Sequence, residues 1–168
     1  MPTSSIGTGP TFPRGRWSWS DVLVTAVDDT APTGLLHLVP AAAWTAEPDR
    51  PYAPASLKAE GFVHCSPDVA TTLAVATAFY SDAERPLLVL HLDESRLRAP
   101  VVREAAVPVP PPGVGDDVLF PHVRGPLDRD AVVRVQQVLW SGSSAVDLVD
   151  PAPAMMGVTV RGTDGRGV

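Results

Sequence analysis

Cysteine occurs once in these 168 residues, and lysine only at Lys58. The lone Cys65 excludes an internal disulfide and a cysteine-only zinc centre. Scarce lysine, scattered arginines, a net charge of −6 and a pI near 5.0 argue against nucleic acid as the main partner. A protein that grips a phosphate backbone needs clustered cations, because counterion release supplies most of its affinity. No apolar run approaches the roughly 20 residues of a membrane helix, so no membrane partner is expected. The first residues show no basic segment followed by an apolar one, so a secretory signal is not expected and a cytoplasmic location is the default. Gly-x-Gly-x-x-Gly is missing as well, which removes the usual phosphate turn of a Rossmann fold.

What the chain does have is proline, 19 residues of it, lying mostly between apolar runs. Residues 1–33, rich in Pro, Gly, Ser and Thr, read as an N-terminal extension of low order, in which residues 17–24 could supply an edge strand or pack on the surface. Residues 34–140 read as a single folded domain, and residues 141–168 as a C-terminal tail. Within the domain, residues 35–39, 62–65, 87–92, 100–107 and 131–140 read as strands, and residues 41–46 and 55–59 as brief helical turns, the second ended by Gly61. One longer helix is expected after Ser66, with Ser66 as N-cap, Pro67 in the first position and Asp68 complementing the dipole. Its apolar face is Val69, Leu73, Ala76 and Tyr80, with Phe79 beside them. Many short strands with one main helix and short helical turns define an α+β fold.

Polar side chains punctuate these apolar runs. His37 lies mid-strand between leucines, and reads either as a satisfied core histidine or as part of a site. His64 alternates with Phe62 and Ser66, so these three share one face while Val63 and Cys65 point the other way. Cys65 is then a buried small hydrophobe, and Ser66 either a helix cap or a site hydroxyl. On the strand around Glu104, Arg103 and Glu104 face opposite ways. An inward carboxylate would need a histidine, hydroxyl or ligand partner, and an outward one would simply meet water. His122, between Pro121 and the Arg124-Gly125-Pro126 segment, is expected in a rigid turn. His91 reads as surface or structural. No histidine pair has the spacing of a metal motif, so no metal is expected, and a dispersed His/Glu metal enzyme is the weakest alternative.

These segments together resemble the domain of unknown function 952 family of small bacterial proteins. The matching words are Leu36-His37-Leu38 and Trp44, Tyr52-Ala53-Pro54-Ala55-Ser56-Leu57, Glu60-Gly61-Phe62-Val63-His64-Cys65-Ser66 and Leu87-Leu88-Val89-Leu90. They continue with Pro100-Val101-Val102-Arg103-Glu104 and Leu119-Phe120-Pro121-His122 through Gly125-Pro126-Leu127. The family usually carries tyrosine where Arg124 stands, which implies a different or more anionic ligand here. That family is similar in fold to ADP-ribosyltransferases. The resemblance implies a split antiparallel β-sheet core and a pocket for NAD or a related nucleotide, with NAD as a possible substrate. It assigns His37, Glu104 and His122 to catalysis, and His64, Ser66, Tyr52 and Arg124 to ligand binding. The implied reaction cleaves the nicotinamide–ribose bond, with transfer to water or a small acceptor. A non-catalytic nucleotide- or metabolite-binding module is the alternative.

Overall fold

The computed structural model describes residues 34–151. The extension read at residues 1–33 and the end of the chain after Pro151 lie outside the described residues. The chain runs β1 (Leu36–Pro40), α1 (Ala41–Thr45), α2 (Ala55–Glu60), β2 (Val63–His64), α3 (Val69–Phe79), β3 (Leu87–Leu92), β4 (Val101–Ala105), β5 (Leu119–Val123), β6 (Val132–Ser141) and β7 (Ser144–Val149). Two antiparallel sheets result, one in the order β1-β3-β6-β7 and a smaller one in the order β2-β5-β4. The expected α+β class, with antiparallel sheets and one main helix, is what is observed.

The larger sheet is apolar on both faces, which is why β1 and β3 read as nearly continuous hydrophobic runs. One face carries Leu35, Val39, Leu88, Leu90 and Leu92, which cluster with Val63, Cys65 and Val123 of the smaller sheet and with Leu127. Its other face carries Leu36, Leu38, Leu87, Val89 and Val138, which meet Ala76, Leu73 and Tyr80 at α3. The order of layers is therefore smaller sheet, larger sheet, helix. Each fully buried leucine in this stack contributes about 2 kcal/mol of transfer free energy.

The helix begins two residues later than expected. Ser66 pairs backbone to backbone with Leu36, N to O at 2.8 Å and O to N at 3.0 Å, so it is held extended and cannot cap. Asp68 caps instead, its side chain accepting from the Thr71 N–H at 2.7 Å. Asp68→Ala is expected to cost about 1 kcal/mol in a chemical denaturation curve; an unchanged midpoint would refute the cap. The buried face is also turned relative to expectation. Thr71, Thr72 and Ala76 are buried, whereas Val69 is exposed and Phe79 is 69% exposed. Thr72 tolerates its position because its hydroxyl donates to the Asp68 carbonyl at 2.7 Å.

Two further expectations are corrected. His122 lies not in a turn but in β5, the central strand of the smaller sheet. Pro121 is accommodated there because its carbonyl faces the two-residue β2, accepting from Cys65 N–H at 2.9 Å. The missing N–H therefore falls on the side where a long partner strand is absent. Residues 141–149, read as tail, contribute β7, which pairs with β6 from Gln137↔Val149 to Ser141↔Ser144. Gly142, at φ 62°, makes that hairpin turn possible, and Ala145 and Leu148 pack beside the helix-side core. No helix among the described residues is long and apolar enough to cross a membrane.

Candidate functional site

Strand pairing decides which side chains meet. In the smaller sheet Val63, Val123 and Val101 are in register and face the core. The next rung, His64, His122 and Val102, must then face outward, together with Phe120 and Glu104 one alternation further. Phe62 and Arg124 extend the same outward face beyond His64 and His122.

On that face the side chains interlock. Glu104 Oε2 accepts from His122 Nδ1–H at 2.7 Å and from Arg124 Nη2–H at 3.0 Å. The hydrogen bond from His122, aided by the charge of Arg124, holds the Glu104 carboxyl below the usual carboxylate range, although this group is open to solvent. Phe62 stacks over the His122 ring at 4.1 Å between centroids, with the Arg124 guanidinium 4.9 Å from the Phe62 ring. The side chain of His122 is only 12% exposed beneath this cover. His64 stands edge-on to His122, ring centroids 5.1 Å apart, and its Nε2 bonds Glu60 Oε2 at 3.0 Å. Each histidine thus has its own carboxylate. The second ring nitrogens, His122 Nε2 and His64 Nδ1, have no hydrogen-bond partner among the described residues.

Four of the expected site residues, His64, Glu104, His122 and Arg124, are therefore together. The other three are elsewhere. His37 is buried among the core strands, 5% exposed, with Nδ1–H donating to the His64 backbone carbonyl at 2.7 Å. His37 therefore reaches β2 from the core side, while the His64 ring lies on the opposite, outward side. Its Nε2 is buried without a partner, and burial pushes its pKa down to about 4. Ser66 is buried, and its backbone joins β1. Tyr52 sits with its ring 5.7 Å from His37 and 5.8 Å from Trp44, and its backbone pairs with Leu127. Burial raises its phenol pKa.

Tyr52 lines a groove of ≈ 310 Å³ with Ala43, Glu47, Pro51, Pro54 and Arg129. The Arg129 guanidinium covers Trp44 at 3.7 Å and donates to the Arg50 and Glu47 carbonyls at 2.8 and 2.9 Å. Those bonds tie down the loop after α1, which accounts for the arginine without a ligand. The thiol of Cys65 is buried, and burial raises its pKa, which leaves it unreactive.

Two members of the outward cluster escaped the sequence reading as site residues. Glu60 is four residues before His64, a spacing that could have suggested the pair. Phe62 was placed on the correct face, but its stacking on His122 follows only from the pairing of β2 with β5. Among the described residues no group of three or more His, Cys, Asp or Glu side chains is arranged to hold a metal ion.

The family model described as Protein of unknown function (DUF952) matches residues 38–135. Among solved structures, the chain is similar to Protein CC0527 from Caulobacter crescentus, at 19% identity and a TM-score of 0.48, over 67% of this chain and 92% of that one. A double mutant of that protein gives 18% identity and the same TM-score and coverage. No curated protein matches.

Proposed function

The chain belongs to the DUF952 family, and on that premise we propose that its outward cluster binds NAD or a related nucleotide in an ADP-ribosyltransferase-like manner. The proposed reaction cleaves the nicotinamide–ribose bond, with transfer to water or a small acceptor. The observation that carries the reading is the single oxygen, Glu104 Oε2, shared by His122 and Arg124 beside a second carboxylate–histidine pair. Cleavage of a glycosidic bond builds positive charge on the sugar, and an ionised carboxylate stabilises it. His122, donating from Nδ1 to Glu104, presents Nε2 as the basic nitrogen, which suits it to take a proton from the acceptor. Arg124 offers a planar cation to a phosphate or carboxylate.

A second reading, a nucleotide-binding module without turnover, draws on a specific feature. The Glu104 oxygen is already engaged by two donors, and His37 is sealed in the core, so fewer groups are left to face a reacting sugar. One experiment covers both readings. Incubation with NAD is expected to raise the melting temperature and to release nicotinamide. A saturable shift with no release would select the binding module, and neither response would sink the nucleotide reading altogether.

A further inference from the structure

The outward face carries two imidazoles, each bonded through one nitrogen to its own carboxylate, at a ring separation of 5.1 Å. Glycosidic cleavage needs one carboxylate and at most one base, so it does not call on both imidazoles to move protons. Two neighbouring histidines differing in protonation form an acid–base pair, and with an arginine alongside they suit chemistry at a phosphorus centre. We infer that the His64–His122 face of the smaller sheet hydrolyses phosphodiesters without a metal ion, His122 acting as base and His64 as acid.

The roles follow from the free nitrogens and from exposure. His122 donates from Nδ1 to Glu104, which leaves the lone pair on Nε2 and makes that nitrogen the acceptor of a proton. His64 is the more exposed ring, its side chain 51% accessible, and its Nε2 is engaged by Glu60 at 3.0 Å, which leaves Nδ1 without a partner among the described residues. Arg124 spends one N–H on Glu104 and has no hydrogen-bond partner for its other donors among the described residues. In the step itself, His122 Nε2 takes a proton from water as the water oxygen bonds phosphorus. The bond from phosphorus to the leaving oxygen breaks, and His64 passes its proton to that oxygen. A phosphodiester and water thus become a phosphomonoester and an alcohol. The two rings end with exchanged protons and re-equilibrate with solvent.

The inference stands on this geometry and not on the glycosidic reading, and the two are assayed by different products. The test uses the full chain with two substrates, bis(4-nitrophenyl) phosphate and a 2′,3′-cyclic nucleotide, in the presence of a chelator. Turnover is expected to persist in chelator and to show a bell-shaped pH profile, because one ring must be neutral and the other charged. His64→Gln and His122→Gln are each expected to lower kcat about 100-fold, and the double variant little further. Arg124→Met is expected to raise KM more than it lowers kcat. The absence of turnover on both substrates, its loss in chelator, or full activity in His64→Gln would each overturn the inference. The last result is decisive on its own, since an exposed ring can be replaced without unfolding the chain. Nicotinamide release, measured on the same preparation, stands or falls separately.

Discussion

Glu104→Gln is expected to lower nicotinamide release about 100-fold while leaving the melting temperature where it was. Glutamine keeps an oxygen that accepts from His122 Nδ1–H, so the ring stays oriented and in the same tautomer. What disappears is the negative charge, which in the proposed reaction would stabilise both the cationic sugar and any imidazolium formed as His122 takes up a proton. Arg124, deprived of its counter-charge, would remain near the scissile bond and oppose positive charge there. The loss is therefore expected in kcat more than in KM, because it falls on the transition state. Stability should not follow, since Glu104 is solvent-exposed on the edge strand β4. Nicotinamide release by the variant at the wild-type rate would remove Glu104 from catalysis. A release loss accompanied by an equal fall in melting temperature would make the residue structural.

The other large effect belongs to His37 and to acid pH. Its neutral ring donates to the His64 carbonyl in a fully buried position, and desolvation lowers its pKa from 6.5 to about 4. In the unfolded chain the same residue takes up a proton below about 6.5. Between the two values the unfolded state binds more protons, so stability is complete above pH 6.5 and erodes as pH falls toward 4. The full erosion is about 3 kcal/mol, on the order of a third of the stability of an ordinary domain. His91, lowered in the same direction chiefly by burial, adds to the slope. Denaturant midpoints at pH 7 and pH 4, compared between the wild type and His37→Gln, measure the effect. The variant is expected to be less stable at pH 7 but to lose less on acidification. Equal losses in both proteins would remove His37 as the acid-sensitive group.

Much of the fold was legible because the local signals agreed. Alternation and apolar runs placed β1, β3, β4 and β6, Gly61 ended α2 at φ 83°, and the separation of the Val63/Cys65 face from the His64 face is observed. The errors arose where one strong local signal outweighed pairing. Pro121 disguised a central strand as a turn, since its tolerance depends on which neighbour its missing N–H faces. Ser66 looked like a cap until its backbone proved to be committed to β1. The strand at residues 144–149 is short and mixed in character, and only its contacts with β6 and α3 make it a strand.

The candidate site divides along the same line. Residue order sufficed to identify polar side chains set in apolar strands, and to say that His64 and Val63 must face opposite ways, because a strand alternates with a period of two. It could not say that His37 lies on the core side of β2 while Glu104 and His122 lie on the outward side. That depends on which strands pair and in what register, contacts 18 to 27 residues apart in the chain. The absences noted first bounded the chemistry: one cysteine, one lysine and no phosphate-turn glycines. The register His64↔His122, and the diagonal from His122 to Glu104, gathered four dispersed residues into one face and left a fifth buried beneath it.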